Sequence, residues 1–468
     1  MRIVIIGSGK VGYQIATSLS REKHDIVVVD TDQEVLNRLN ENIDVLTIRG
    51  NGISTKVLEE AGVKNSDLFI AVTNSDEVNM VACITAKQMA DIKAIARIRD
   101  PEYANELNFI KEKFGIDYII NPEKATAKAI IGHIMNTYSG SVEDFAKGRV
   151  RMIEVPVKNG IFMAGKQIKD LIMPKNMLIG AISRDGKIII PNGEDYILEA
   201  DTLYIIGMKD SIAEFCNMIN MPQLGKVRKV MIVGGGRIGY YLTKFLVDIG
   251  ISVKLIEQDI DRCKELSDIL GDGALILNGD GTNIELLEME KVNEVDVFIS
   301  VTGYDEENLL VSLLAKRLGA KKVIAKVSRP NYTSIIETIG VDVAVSPRLI
   351  TASDILRYIR GERILSVSLL MEGEAEVLEL IVGKKSVSVN KTLRDIKFPH
   401  GVLVSSIVRQ GSVIIPDGNT QLRGGDRVII FSLQPSIEKT RALFAEPIGG
   451  SKDEPYVDSK GFGRSINM

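Results

Sequence analysis

Ile3-Val-Ile-Ile-Gly-Ser-Gly-Lys-Val-Gly12 decides the fold: a short apolar strand runs straight into a Gly-x-Gly-x-x-Gly turn. Val27-Val-Val-Asp30 follows as a second buried strand ending on an acid. Both stretches recur far downstream, as Val230-Met-Ile-Val-Gly-Gly-Gly-Arg-Ile-Gly239 and Leu255-Ile-Glu257. In each copy the first glycine stands 23 residues before the acid. The glycines have separate tasks. Gly7 allows the tight turn, Gly9 lets backbone approach a pyrophosphate, and Gly12 lets helix pack on strand. Phosphates would rest on the helix N-terminus, whose N–H groups and dipole favour anions. Asp30 or Glu257 would accept hydrogen bonds from a ribose 2′-OH and repel a 2′-phosphate. Ser8, Lys10 and Val11 complete the first candidate loop; Gly234, Gly235, Gly236, Arg237, Ile238 and Gly239 form the second. Such a turn can also serve only to pack a helix on a strand. Strand, glycines, helix and acid in order, twice over, favour a nucleotide.

Outward from this stretch, strands and helices alternate. Helices are expected over 33–40, 56–61, 78–89, 101–114 and 125–138, with strands over 45–48, 67–73, 94–98 and 117–120 between them. This alternation gives a Rossmann-like, doubly wound parallel sheet. Past a linker at Ser139-Gly-Ser141 the character changes. Short strands at 153–157, 177–183, 187–190 and 202–206, with few helices, describe a small α+β lobe. Pro222 to Gly225 then connects to a second half that repeats the first. Asp296 to Thr302 stands where Asp67 to Thr73 stood, Lys326 where Arg97 stood, and Pro347 where Pro122 stood. The lobe repeats as well, Pro191-Asn-Gly193 matching Pro416-Asp-Gly418 and Asp201 matching Asp426. The offset drifts only between 225 and 229, so the chain is a tandem duplication. Expected domains are 1–138 and 226–361 for the nucleotide folds and 141–221 and 364–445 for the lobes. Residues 446–468 form a polar tail with the composition of a disordered segment.

Composition narrows the partners. At 468 residues the chain has room for two to four domains. Its 45% hydrophobic and 26% charged residues suit a globular protein, and no apolar run is long enough to cross a bilayer. A net charge of −4 without a basic block argues against nucleic acid. Met1-Arg2 runs directly into the strand, so no signal peptide is read there. Cys83, Cys216 and Cys263 are few and far apart, as expected of buried thiols in the cytosol rather than disulfides or a metal site.

Open parallel sheets bind ligands at the carboxyl ends of their strands. Thr73, Asn74 and Arg97 lie at that edge in the first unit, Thr302 and Lys326 in the second. Arg97 would pair with phosphate oxygens or form a structural ion pair; lysine at 326 lacks the bidentate fork. Asp76-Glu77 and Asp305-Glu306 precede apolar helices and read as helix N-caps rather than catalytic pairs. His24 and His133 read as surface or packing residues, and His400 has no acid or nucleophile near it. Neither lobe offers an acid–base pattern to complement a nicotinamide. A sensor whose geometry responds to ligand fits better than the alternative, an NAD-dependent oxidoreductase acting on a small substrate.

Taken together, the glycine loop, Asp30, Gly50-Asn-Gly52, Asp67 to Thr73, Ser75-Asp-Glu77-x-Asn79-Met80 and Ile95-Ala-Arg97-Ile-Arg99 resemble the RCK domain that regulates potassium conductance. The lobe carrying Pro191-Asn-Gly193 and Asp201 resembles the RCK C-terminal subdomain. Two such units in one chain without a membrane span resemble the TrkA family, the peripheral regulatory subunits of Trk potassium uptake systems. The resemblance covers about residues 1–445. It implies a homo-oligomeric cytosolic ring on the inner face of the membrane, bound to a channel subunit of the TrkH type. It also implies gating by NAD(H) or by ATP and ADP; no residue is assigned to catalysis or to a metal. Contacts would come from Gly7 to Val11, Asp30, Thr73, Asn74 and Arg97 in the first unit, and from Gly234 to Ile238, Glu257, Thr302 and Lys326 in the second.

Overall fold

The computed structural model describes residues 1–22, 24–100, 103, 109, 111–135, 142–157, 162–221, 226–329, 340–360 and 364–446. Most of the expected helix at 101–114, the linker at 139–141, the connector at 222–225 and nearly all of the tail lie outside them.

The first unit forms a six-stranded parallel sheet. Its strands are β1 (Arg2–Ile6), β2 (Asp25–Asp30), β3 (Leu46–Arg49), β4 (Leu68–Ala71), β5 (Lys93–Arg97) and β6 (Tyr118–Ile120), in spatial order β3-β2-β1-β4-β5-β6. The order reverses between β1 and β4, so the crevice opens beside the glycine turn. Alternate side chains of β1 face opposite ways. Val4 and Ile6 join Phe69, Ala82, Cys83 and Ala86 on one face, and Ile3 and Ile5 join Ile15, Leu19, Val28 and Ile70 on the other. Helices α1 (Lys10–Arg21), α2 (Gln33–Asn42), α3 (Thr55–Glu60), α4 (Asp76–Met89) and α5 (Pro122–Met135) accompany the sheet. Asp32 caps α2 by accepting from the N–H of Glu34 at 2.9 Å.

The first lobe comprises β7 (Val142–Phe145), β8 (Val150–Pro156), β9 (Met177–Arg184), β10 (Lys187–Ile189), β11 (Thr202–Met208) and α6 (Lys209–Met218). Its antiparallel sheet runs β10-β9-β11-β8-β7. The second half repeats both layers. β12 (Lys229–Val233), β13 (Ser252–Glu257), β14 (Ala274–Asn278), β15 (Val297–Ser300), β16 (Lys322–Lys326) and β17 (Val343–Val345) take the order β14-β13-β12-β15-β16-β17. With them go α7 (Arg237–Asp248), α8 (Ile260–Leu270), α9 (Ile284–Met289), α10 (Asp305–Arg317) and α11 (Pro347–Ile359). The last lobe holds β18 (Ile364–Leu370), β19 (Ala375–Ile381), β20 (Val402–Arg409), β21 (Ser412–Ile414), β22 (Arg427–Leu433) and α12 (Ile437–Phe444), with sheet order β18-β19-β22-β20-β21.

The halves exchange helices. Ala127, Ile130 and Ile134 of α5 pack into the second unit's core beside Val230, Ile232, Leu242 and Leu246. In return, Ile355 and Leu356 of α11 pack beside Ile3, Ile5, Ile15 and Leu19. Tyr118 stacks on Tyr358 with ring centroids 4.5 Å apart. The lobes also meet face to face: Phe145, Ala181, Tyr204 and Ile206 share a core with Val377, Val408, Ile429 and Phe431. Gly180 must stay small there, because a Cβ would fall 2.3 Å from the Phe431 ring. All three cysteines are buried free thiols. Burial lowers the His133 pKa to about 4; its backbone carbonyl accepts from the buried Lys322 amine at 3.0 Å, and burial lowers the lysine pKa to about 8. No helix among the described residues is long and apolar enough to cross a membrane.

Candidate functional site

The two loops place their glycines under different constraints. Gly7 has φ +97°, and a Cβ on it would lie 2.9 Å from the Thr73 nitrogen. A Cβ on Gly12 would come within 1.9 Å of the Gly7 carbonyl oxygen. A Cβ on Gly9 would meet nothing within 4 Å, so the chain itself does not require glycine there. The second loop repeats all three: φ is +105° at Gly234, Gly239 would strike the Gly234 carbonyl at 2.0 Å, and Gly236 is open. Gly9 and Gly236 are the N-cap residues of α1 and α7, and neither helix receives a side-chain cap. First-turn N–H groups lack partners within a helix, so each opening presents donors that an anion could accept. Lys10 and Arg237 are exposed beside these openings.

Each acid is tied to its own loop. One Asp30 oxygen accepts from the Ser8 N–H at 2.6 Å and the Ser8 hydroxyl at 2.8 Å, while the other accepts from the Asp32 N–H at 3.0 Å. Burial pushes the Asp30 pKa up, but these hydrogen bonds prevail and hold it below the ordinary carboxylate value. Glu257 accepts from the Gly235 N–H at 2.6 Å and the Asp259 N–H at 2.9 Å. Arg262 holds the same residue through its other backbone group, donating to the Gly235 carbonyl at 2.9 Å.

At the strand ends the expected contacts are partly occupied. The Thr73 N–H and hydroxyl both donate to the side-chain carbonyl of Asn79 at 2.8 Å, and the Asn79 amide donates to the Arg97 carbonyl at 2.9 Å. Asn308 likewise accepts from the Thr302 N–H at 2.8 Å and donates to the Lys326 carbonyl at 3.1 Å, while the Thr302 hydroxyl donates to the Tyr304 carbonyl instead. The buried Lys326 amine donates to the Thr302 carbonyl, so its charge is turned into the fold, and burial lowers its pKa. The Asn74 carbonyl accepts from Arg99. Arg97 stands 3.8 Å from Glu123, the structural ion-pair alternative; burial lowers its pKa and raises that of Glu123. Four polar atoms in this one cluster are buried without a hydrogen-bond partner: Nε of Arg97, Nε of Arg99, Oδ1 of Asp76 and Oε2 of Glu123.

The N-cap reading of the acid pairs needs correcting. Ser75 caps α4, accepting from the Val78 N–H at 3.2 Å. Asp76 instead turns inward and accepts from the N–H groups of Arg99 and Asp100, both at 2.8 Å. Asp305 repeats this with Ser328 and Arg329 at 2.8 Å. These acids brace the loop after the fifth strand, where backbone N–H groups need acceptors.

The crevices border the opposite unit. Arg237 reaches Asp100 at 3.9 Å, Asn121 donates to the Tyr241 hydroxyl at 3.2 Å, and Arg348 donates to Gln14 at 2.7 Å. Sequence reading missed Glu123, Arg99, Arg262 and the bracing role of Asn79 and Asn308. The repeated Asp-Glu-x-Asn at one offset was the available signal for the asparagines. Among the described residues no cluster of His, Cys, Asp and Glu could hold a metal ion.

Two switch-point crevices, exchanged exit helices and two stacked lobes define a tandem RCK architecture. The TrkA-N domain profile matches residues 3–122 and 230–347, and the TrkA-C domain profile matches 152–220 and 377–445. The chain belongs to the TrkA family. It is 38% identical over 452 residues to the Trk system potassium uptake protein TrkA homolog 1 of Methanosarcina mazei, covering 95% of this chain and 100% of that one. It is 35% identical over 441 residues to the Trk system potassium uptake protein TrkA of Halomonas elongata, covering 92% and 95%. Among solved structures, the GsuK RCK domain superposes with a TM-score of 0.56 at 19% identity, covering 94% of each chain. The GsuK channel bound to NAD does so at 0.55 and 20%, covering 95% of this chain and 78% of that one. At that identity the likeness concerns the fold.

Proposed function

We propose that this chain is the regulatory subunit of a Trk-type potassium uptake system and that NAD(H) or adenine nucleotides bind at its two glycine loops. The observation that carries this reading is the pair of open glycines. Gly9 and Gly236 sit at helix N-termini where the chain requires no glycine, beside acids held against the loop by its own N–H groups. A residue unneeded by the fold but suited to backbone–phosphate approach is best explained by a ligand. The curated relatives named Trk system potassium uptake protein match this chain over nearly its whole length, which supports the transport role. A channel neighbour solved with NAD supports the cofactor class.

In this reading, Gly7 to Gly12 with Asp30, and Gly234 to Gly239 with Glu257, hold pyrophosphate and ribose. Arg97 contributes charge at the first crevice. Thr73, Asn74, Thr302 and Lys326 act mainly by shaping the strand ends. Domain limits follow the expected 1–138, 141–221, 226–361 and 364–445. The protein works on the cytoplasmic face as a homo-oligomeric ring under a TrkH-type channel. Ligand moves the ring only through its differential affinity for two states. No catalytic role is assigned.

Isothermal titration with NADH, NAD, ATP and ADP, followed by potassium flux in vesicles carrying the channel subunit, tests this. Saturable binding weakened about tenfold or more by Gly9→Ala, with ligand-dependent flux, is the expected outcome. Binding unaffected by both Gly9→Ala and Gly236→Ala would overturn the site. Oxidation of NADH by a small acceptor would favour the oxidoreductase instead.

A further inference from the structure

The two halves are related by a repeat, yet one joint between them is built from charge on one side only. Glu22 is the C-cap residue of α1, and Arg360 is the C-cap residue of α11. The Arg360 guanidinium donates to Glu22 and to both oxygens of Glu376 in β19, one of these bonds at 2.9 Å. Arg441 of α12 donates to the other Glu22 oxygen at 3.2 Å, and His24 lies 3.7 Å from that oxygen. The side chains of Glu22, Arg360 and Glu376 are at most 3% exposed, and that of Arg441 is 26% exposed. Burial alone would raise the Glu22 pKa; its hydrogen bonds and the two arginines bring it down to about 2.

The duplicate positions carry none of this. By the repeat offsets, Glu22, Arg360, Glu376 and Arg441 correspond to Ile249, Met135, Arg151 and Cys216. Ile249 and Met135 are exposed, Arg151 pairs instead with Asp144 at 2.7 Å, and Cys216 is buried. The knot therefore ties the first nucleotide fold to the second exit helix and the second lobe, and among the described residues the duplicate positions make no such tie between the second fold and the first lobe.

We infer that this knot transmits ligand binding at the first glycine loop, and not at the second, to the second lobe. The helix α1 begins at Lys10, directly on the first loop, and ends at the knot. Twelve residues at 1.5 Å each make a lever of about 18 Å. A ligand that draws the first loop inward moves Glu22 with it. Glu22 cannot leave its partners without stranding a buried charge, so Arg360 and Arg441 follow. At the other end of the repeat, α7 closes on Ile249, which grips nothing charged. One nucleotide site then drives the assembly, and the other acts locally.

This inference rests on the nucleotide reading above. The test is hydrogen–deuterium exchange of the full chain with and without saturating NADH or ADP, alongside titration calorimetry. In the parent protein and in Glu257→Ala, ligand is expected to slow exchange in α12 by about threefold or more. In Glu22→Gln, ligand still binds within about threefold of parent affinity, but the effect on α12 disappears. Arg441→Gln, at the partly exposed corner of the knot, gives the same loss should Glu22→Gln not fold. Retention of the α12 effect in both knot variants, or its dependence on Glu257 rather than Asp30, overturns the inference. Absence of any calorimetric binding in the parent protein overturns the nucleotide reading itself, and this inference with it.

Discussion

Gly9 and Gly12 stand three residues apart in one loop and answer to different partners. Gly12 faces the Gly7 carbonyl at 1.9 Å from its would-be Cβ, so Gly12→Ala must shift backbone. A destabilisation of about 3 kcal/mol, read as a lower denaturant midpoint, is expected. Gly9→Ala meets open space and should leave the midpoint unchanged while weakening nucleotide binding. The pair separates fold from ligand in one experiment. Asn79→Ala is the third informative substitution here. It strips acceptors and donors from the Thr73 N–H and the Arg97 carbonyl, both inside the fold, at a cost of roughly 2–5 kcal/mol. Urea unfolding measures it, and Asn308→Ala should behave alike. Gly7 and Gly12 were legible in sequence because backbone geometry leaves few residue types able to fill those positions, and the acids because they stand at one spacing from the loop in both copies. The role of Asp76 was not. A carboxylate before an apolar helix suits an N-cap equally well, and only the path of the loop after β5 shows which N–H groups it serves.

Amphipathic patterning shows that an exit helix has an apolar face, but not whose core receives it. The helices α5 and α11 each leave their own sheet and cover the other. Ile355→Ala should therefore destabilise the first unit, although Ile355 belongs to the second, by about 2–4 kcal/mol. Exchange protection in β1 and β2 reports the effect; loss confined to the second sheet would contradict the exchanged arrangement. Charge adds a pH term at the lobe contact. Glu143 in β7 accepts from Ser368 at 2.6 Å. Asp144, paired with Arg151, and Glu379, paired with Arg427, lie nearby. Burial raises the Glu143 pKa to about 7, against 4.5 for the ordinary group. A carboxyl whose folded pKa is raised opposes folding once ionised. Its penalty is absent below pH 4.5 and fully developed above about pH 7. Thermal scans should thus show Glu143→Gln melting higher than the parent at pH 8 and no higher at pH 4.5.

At the scale of the molecule, tandem duplication was legible because 225- to 229-residue offsets persist from the glycine loops to the last lobe. Duplication alone does not say how the copies diverge. Glu123 at the first crevice is answered by Arg348, Arg97 by Lys326, and Arg99 by Ser328, so acid and base are balanced differently in otherwise matching folds. One feature that both copies retain bears on assembly. Val81 on α4 and Leu310 on α10 occupy the same position of the repeat, and both are exposed, Leu310 by 63%. Val81 and Leu310 stand on helices flanked by acidic first turns and basic last turns, where a polar residue would cost nothing. On the ring proposed above, apolar side chains held at one solvent-facing position in both halves would be buried against a neighbouring chain. A ring built from two-unit chains would present α4 of one subunit to α10 of the next in heterologous contact. Val81→Asp or Leu310→Asp would then place a charge in that contact, lowering the oligomer's sedimentation coefficient toward that of the single chain while leaving the unfolding midpoint of the chain within about 0.5 kcal/mol of the parent. Oligomers of parent size from both variants would move the ring contact to another face.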